Sequence, residues 1–480
     1  MGTKNNNKLD KIIFVIVSVL FIIPSIIYII QKRTVLGFNL YYNFFITEKI
    51  NKTVSTVIYL ILFSVLTISY LRMIKSKKYF NDIKELLKYI TIISSIFIFM
   101  LPWTSSDIFY YMGVGELDSV YNQNPYYITM KDYYEQNPES INDDSIFEQG
   151  VNNFWAKTTV VYGPIAQTIF KICSAISFKN LNICLLVFKI VNLIIHIANC
   201  YLIFKLTRKL KFSIIYGLNP FVLLEFVGMG HNDIIVVFFI LLTLYYLIKK
   251  KNIYLSIVFL ALATGIKYFT ILLLPIVILY HFRKETKISK RILRCIQYGV
   301  MFFCILIVEY ISYFQNIEVI LAILPQTAKY SKSIYSAMAI VDSYLMTILR
   351  AILSIVFFYY YIVCCLKMLF AKDNNIMKML RKYNTGLILF ILILTNCQQW
   401  YIVWLFATIM WQRPNTIRNI IGVSLVTEIA NSIYMFKSEF YIYDVYYIEI
   451  IACVLILWYV YTNKKYFKDG RNQIEKASIN

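Results

Sequence analysis

The chain has 480 residues, of which 59% are hydrophobic and only 15% are charged, and its mean hydropathy is +0.63. Soluble domains are about one quarter charged, so this composition excludes an ordinary soluble protein and predicts an all-α, polytopic membrane helix bundle. The net charge of +22 does not indicate nucleic-acid binding, because the basic residues lie in short clusters between apolar segments. The nine cysteines lack CxxC or metal-ligand spacing, which argues against a disulfide framework or a zinc site.

Apolar segments follow one another along the whole chain. They lie near residues 12–30, 54–71, 89–103, 162–178, 182–204, 213–228, 233–248, 252–281, 295–313, 346–368, 384–412, 416–435 and 444–462. Because a bilayer core needs about 20 helical residues, these segments predict about 11–14 transmembrane or half-membrane helices. Two segments are too long for one span, and polar residues interrupt them at Gly265-Ile266-Lys267 and Asn396-Cys397-Gln398-Gln399-Trp400. Each is predicted to form two short helices joined by a polar turn that faces a cavity.

Basic clusters predict the orientation. Loops rich in Lys and Arg stay in the cytoplasm, and five segments carry three to six of these residues each: 72–88, 205–211, 249–251, 282–294 and 367–382. The segment 104–157 has nine acidic residues against Lys131 and Lys157, so we expect it to be one large outer loop. Both termini then lie in the cytoplasm, if 162–178 does not cross as a full span. A single transmembrane domain over 1–463 would precede a basic cytoplasmic tail over 464–480.

This topology places several polar features on the outer side. Asp107 opens the acidic loop directly after an apolar segment, where a membrane enzyme would place a general base. It could instead cap the helix that follows Ser105-Ser106. His231, Asn232 and Asp233 join two apolar segments, and they either cap the second helix or belong to a site.

Other polar residues lie inside apolar segments. Lys189, Asn192, His196 and Asn199 share one helix face, which should point into the bundle. They either bond to neighbouring helices or, in the case of Lys189, neutralise a phosphate. Glu225 also lies in an apolar segment, where an ionisable group indicates a function or a partner such as a lysine.

Tyrosines follow Asp107 closely. Tyr110, Tyr111, Tyr126 and Tyr127 are either anchors at the membrane interface or platforms for a sugar ring. The segment Asn124-Pro125-Tyr126 is typical of a turn.

Four stretches occur in a characteristic order. They are Ser106-Asp107-Ile108-Phe109-Tyr110-Tyr111 with Gly113 and Asn124-Pro125-Tyr126; Val161-Tyr162-Gly163-Pro164; Asn219-Pro220-Phe221-Val222-Leu223-Leu224-Glu225 with Gly230-His231-Asn232-Asp233; and Lys267 with Pro275. Together with Gln399-Trp400-Tyr401, they resemble the GT-C glycosyltransferases. The greatest similarity is to the polyprenyl-phosphate-mannose-dependent mannosyltransferases of the actinobacterial lipomannan type.

The resemblance implies a transferase of the cell membrane. A hexose, expected to be mannose, would move from a polyprenyl-phosphate donor to a cell-envelope glycan or glycolipid on the outer face, with inversion. Asp107 matches the catalytic base of the family. The expected substrate-binding residues are His231, Asn232, Asp233, Lys267, Tyr110, Tyr162, Lys189 and Gln399.

We further expect no cofactor and no metal, because a carrier monophosphate has no diphosphate to neutralise. Lys267 is the preferred candidate for holding the donor phosphate. The expected partners are the donor, the acceptor and membrane lipid, with no nucleic acid. Two other functions stay open: a transporter or flippase of a lipid-linked saccharide, and a glycan polymerase or ligase.

Overall fold

A computed structural model describes residues 2–32, 52–76, 79–102, 105–140, 153–321, 343–371 and 374–436. These residues are largely helical and contain no strand, which confirms the all-α prediction. The predicted tail over 464–480, the apolar segment near 444–462 and residues 141–152 of the predicted outer loop lie outside the described residues.

The chain divides into two compact units, residues 1–326 with 368–374 and residues 327–367 with 375–480. The predicted domain over 1–463 therefore spans both units, and its role as one functional domain stays a prediction.

The first unit contains most of the helices. Its α-helices are α1 (Gly2–Lys32), α2 (Lys52–Lys75), α3 (Ile83–Phe97), α4 (Asp107–Ser119), α5 (Met130–Gln136), α6 (Asn153–Ala156), α7 (Pro164–Ile176), α8 (Leu181–Thr207), α9 (Leu210–Gly217), α10 (Pro220–Val222), α11 (Asp233–Tyr245), α12 (Ile253–Thr264), α13 (Leu274–His281), α14 (Ile288–Tyr310) and α15 (Glu318–Leu321). π-Helical turns extend α10 over Leu223–Gly228 and α11 over Tyr246–Lys250. Short 3-10 helices cover Pro138–Ser140 and Tyr268–Leu273.

The second unit contains α16 (Ser343–Leu369, whose last two residues belong to the first unit), α17 (Ile376–Ile393), a 3-10 helix (Gln399–Trp411) and α18 (Pro414–Phe436).

Five helices of the described residues are long and apolar enough to cross a membrane: Asn7–Ile27, Val57–Lys75, Leu181–Thr207, Ile288–Tyr310 and Tyr344–Leu369. A sixth candidate is the bent pair Leu210–Gly217 and Pro220–Gly228, whose axes meet at 51°. The protein is therefore an all-α polytopic membrane protein. The segment 162–178, which the predicted topology does not allow to cross as a full span, contains a separate 13-residue helix, Pro164–Ile176.

Both predicted helix breaks are confirmed. α12 ends at Thr264, and the 3-10 helix that leads into α13 begins at Tyr268, so Gly265, Ile266 and Lys267 form a turn. In the second unit α17 ends at Ile393 and the next helix begins at Gln399.

Polar side chains on one face of α8 hydrogen-bond to neighbouring segments of the first unit. Asn192 Nδ2 donates to the carbonyls of Phe226 and His231, at 2.9 and 3.1 Å. His196 Nε2 lies 3.0 Å from the Gly217 carbonyl. These bonds confirm the interhelical interpretation of this face, and they fix the segment that precedes α11.

Candidate active site

Asp107 is the first residue of α4. Ser106 occupies the N-cap position, and Ser105 Oγ accepts a hydrogen bond from the Asp107 amide at 3.2 Å. The Asp107 side chain is 12% exposed. One turn along the helix, the Tyr111 hydroxyl donates to Asp107 Oδ2 at 3.5 Å. The carboxylate is therefore largely buried but keeps a small accessible surface, while a phenol contacts one of its oxygens.

His231 lies between two carboxylates. Its Nδ1 is 3.6 Å from Asp107 Oδ2, and its Nε2 is 3.2 Å from Glu225 Oε2. The side chains of His231 and Glu225 are 1% and 0% exposed. Glu225 thus pairs with His231, and the sequence interpretation that it pairs with a lysine is not what the structure shows.

The backbone between Glu225 and His231 makes this contact possible. The π-helical turn ends at Gly228, and Gly230 adopts φ +85°, which side-chain-bearing residues rarely reach. A Cβ on Gly230 would also lie 2.3 Å from Ile108 Cδ1 on α4. The Ile108 side chain could rotate away from such a Cβ, so it is the positive φ that favours glycine at this reversal of the chain. π-Helical turns of this kind are frequent at functional sites.

A second ion pair adjoins the first. Lys267 Nζ lies 2.7 Å from Asp233 Oδ1, and the Asp233 side chain is fully buried. The same ammonium is 5.6 Å from the centre of the Tyr162 ring. The Tyr162 hydroxyl in turn donates to the Tyr111 hydroxyl at 3.3 Å. Lys267 is therefore connected, through two phenols, to Asp107.

Asn232 has the most informative side chain of the segment. It occupies the N-cap position of α11 but makes no side-chain cap bond, so capping does not explain it. It is 2% exposed, and neither its Oδ1 nor its Nδ2 has a hydrogen-bond partner among the described residues. Buried amides are normally satisfied, and an exception calls for an explanation such as a ligand.

Two glycines bring the predicted motifs together. Ile165 N donates to the Gly265 carbonyl at 2.9 Å, and Gly163 N donates to the Ile266 carbonyl at 3.3 Å. The start of α7 therefore rests directly on the turn that carries Lys267, and this contact places Tyr162 beside that lysine.

The other predicted site residues lie differently. Tyr110 is fully buried, its ring stacks on Trp155 at 4.6 Å, and its hydroxyl donates to the Thr159 carbonyl. Lys189 is buried and donates to the Met100 carbonyl. Gln399 begins the 3-10 helix of the second unit. Substrate contacts by these three residues stay predictions.

Burial also sets the chemistry of the phenols. It raises the pKa of Tyr111 well above its usual value, and neighbouring Tyr162 and Asp107 act in the same direction. Tyr111 is consequently a hydrogen-bond donor to Asp107 and not a second base.

Two residues near Asp107 are not among the predicted site residues. The sequence signal of Glu225 is a carboxylate six residues before His231 in an otherwise apolar stretch. Tyr111, predicted to be either an interface anchor or a sugar platform, is buried with its hydroxyl against Asp107. Among the described residues, no group of three or more His, Cys, Asp or Glu could hold a metal ion.

Comparison with known families gives one match. The profile described as alpha-(1->6)-mannopyranosyltransferase, N-terminal domain, matches residues 17–283, which is more than half of the chain and lies within the first unit. No curated protein and no solved structure matches significantly. The matched range includes Asp107, Glu225, His231, Asp233 and Lys267. The chain belongs to the alpha-(1->6)-mannopyranosyltransferase family, and it is a membrane mannosyltransferase.

Proposed function

We propose that the enzyme moves mannose from a polyprenyl-phosphate donor to a cell-envelope glycan or glycolipid on the outer face of the membrane. One observation supports this most directly: Asp107, 12% exposed, lies 3.6 Å from His231, and the next residue, Asn232, has a buried amide with no hydrogen-bond partner among the described residues. A carboxylate and a buried amide on neighbouring segments suit a sugar with several hydroxyl groups. The family assignment favours a transferase over a flippase.

Asp107 acts as the general base. An acceptor hydroxyl loses its proton to the carboxylate while its oxygen bonds to the anomeric carbon. The bond between that carbon and the phosphate oxygen breaks, and polyprenyl phosphate leaves with the electron pair. Because this is one direct displacement, the anomeric configuration inverts, and a β-linked donor gives an α-linked product.

The neighbouring residues bind the donor. Asn232 offers both a donor and an acceptor to a sugar hydroxyl. Lys267 contacts the departing phosphate. Because Lys267 is paired with Asp233 at 2.7 Å, that contact adds to or replaces the ion pair.

Replacement of Asp107 by Asn tests the base. The side chains are nearly isosteric, so D107N should retain donor binding and fold while kcat falls by about 10²–10⁴-fold. The assay uses purified protein in lipid nanodiscs, with radiolabelled polyprenyl-phosphate mannose and a mannoside acceptor.

The matched control is D132N. Asp132 is an exposed carboxylate of the same loop that hydrogen-bonds to Thr129, so its loss should leave turnover unchanged. Turnover by D107N close to that of D132N would remove Asp107 from the role of base. Transfer from a nucleotide sugar, with none from the carrier-linked donor, would contradict the proposed donor.

A further inference from the structure

Glu225 is a carboxylate with no exposed surface, and a buried carboxylate is costly unless it is paired. Its Oε2 lies 3.2 Å from His231 Nε2, while the other ring nitrogen of His231 faces Asp107. The three groups come from α4, from the π-helical turn and from the turn before α11. An imidazole placed in this way connects a fully buried carboxylate with one that is 12% exposed.

We propose that Glu225 is a positioning residue, which acts through His231 to orient the Asp107 carboxylate and to keep it ionised for proton abstraction. This inference rests on the proposed role of Asp107 as base. It adds two functions that the family assignment does not give, one for Glu225 and one for His231.

The geometry supports an effect of Glu225 on Asp107 that passes through His231. With a proton on both nitrogens, the ring is a cation within ion-pair distance of both carboxylates, with Nε2 3.2 Å from Glu225 Oε2 and Nδ1 3.6 Å from Asp107 Oδ2. The cation then lies closer to Asp107 than the Glu225 anion does, so the pair favours an ionised Asp107. The 3.6 Å separation exceeds a hydrogen bond, but catalytic hydrogen bonds commonly shorten when substrate binds.

The surrounding elements hold the ring in place. Asn192 on α8 donates to the His231 carbonyl, and the His231 amide donates to the Glu225 carbonyl at 3.2 Å. Among the described residues, the titratable groups in contact with this cluster include Tyr111 on α4, Tyr162 before α7, and Asp233 with Lys267. Lys189 on α8 is bonded to the Met100 carbonyl.

A first measurement needs no substrate. The chain has three histidines, His196, His231 and His281, so selective ¹⁵N-histidine labelling gives three imidazoles. In nanodiscs, the ring ¹⁵N signals of His231, assigned from their loss in H231Q, should move in E225Q and in D107N. They should stay in place in E116Q, because Glu116 is a buried carboxyl of α4 outside the cluster. Unmoved signals in E225Q would overturn the inference.

The second measurement is the pH–rate profile. E225Q should lower kcat by about ten- to a hundredfold, the factor expected for one charge-assisted hydrogen bond, with the donor Kd retained. The acid limb of kcat/KM should move to higher pH, because the ring loses its anionic partner and Asp107 loses a neighbouring cation. E225D keeps the carboxylate, so the acid limb of its kcat/KM profile should lie at the same pH as in the wild type. A purely structural role would lower the rate of E225Q without moving the limb.

A double variant tests whether Glu225 acts through His231. H231Q/E225Q should lose no more activity than H231Q alone, since the path is already interrupted. Losses that add would contradict the proposal. If wild-type protein transfers no mannose from the carrier-linked donor, the proposed function fails, while the ¹⁵N comparison still decides whether Glu225 controls His231.

Discussion

Two buried carboxyl groups of the first unit lie in contrasting environments. Glu225 has His231 within 3.2 Å. Glu116 on α4 is 2% exposed, and its Oε2 has no hydrogen-bond partner among the described residues. Burial raises the pKa of Glu116 from 4.5 to about 7, against an opposing effect of Lys179. Glu225 thus lies within ion-pair distance of an imidazole, whereas burial stabilises Glu116 in its protonated form.

The raised pKa of Glu116 predicts that the free energy of unfolding depends on pH. A carboxyl whose pKa is raised by folding stabilises the folded state fully below pH 4.5, and this contribution is lost as pH rises through about 7. E116Q mimics the protonated form at every pH. The advantage of E116Q over wild type should therefore be small at pH 5 and should grow to up to about 3 kcal/mol at pH 8.

Thermal unfolding in nanodiscs at both pH values measures this effect. D132N, which changes an exposed carboxylate of the same loop, should show no comparable dependence on pH. An equal difference between wild type and E116Q at pH 5 and pH 8 would contradict the raised pKa.

Individual residues show what the sequence can predict. The sequence identifies four ionisable site residues, Asp107, His231, Asp233 and Lys267. Such groups are costly in a membrane, so their place beside or within apolar segments indicates a function. Their partners were not identifiable, since the pairing of Lys267 with Asp233 depends on which turns meet in space. Tyr110 could be chosen as a sugar platform from its neighbours in sequence, but its burial against Trp155 follows only from packing.

Close backbone contact between two elements determines the position of Lys267. A Cβ on Gly163 would lie 2.4 Å from the Gly265 carbonyl oxygen and 2.6 Å from its carbonyl carbon. Gly163 has φ −73°, which alanine adopts without strain. The glycine is therefore required for the approach of α7 to the turn and not for its own conformation.

G163A should separate α7 from the turn. Because the obstructing atoms are backbone, the clash cannot be relieved by a side-chain rotation, and overpacking of this kind costs about 1–3 kcal/mol. We expect a lower unfolding temperature and a weaker donor affinity, since Tyr162 and Lys267 move apart.

The control is G299A on α14, where a Cβ would meet nothing within 4 Å. Alanine at a helical position should be neutral or slightly stabilising. Equal behaviour of G163A and G299A in unfolding and donor-binding measurements would show that the contact at Gly265 does not position the lysine.

Among the secondary-structure elements, the breaks between helices can be predicted from the sequence, but the irregular helices cannot. The polar residues at 265–267 and 396–400 interrupt long apolar segments, so both turns could be located from composition. The π-helical turn at Leu223–Gly228 is apolar except for Glu225, and nothing in its sequence distinguishes it from an α-helix. Its extra residue is stabilised by Asn192 on a different helix, which no local pattern reveals.

For the molecule as a whole, α14 connects the predicted loop to a basic segment. Near its C-terminal end, the Tyr313 hydroxyl donates to Asp118 Oδ2 at 3.0 Å, and Asn124 Nδ2 donates to the Tyr313 carbonyl. Its N-terminal end begins within the basic segment 282–294. A 23-residue helix is about 34 Å long, enough to cross a bilayer. The Asp107 loop and the basic segment should therefore lie on opposite sides of the membrane.

Cysteine labelling in intact cells tests this orientation. Gln136 and Thr286 are both exposed, the first in the Asp107 loop and the second in the basic segment. An impermeant maleimide should label Gln136→Cys above the parent protein, and it should label Thr286→Cys only after the cells are permeabilised. The parent is the control for the natural cysteines, of which Cys304 is exposed. The reverse pattern would place Asp107 in the cytoplasm. Nucleotide sugars are the available donors there, so the orientation of α14 also decides between the two classes of donor.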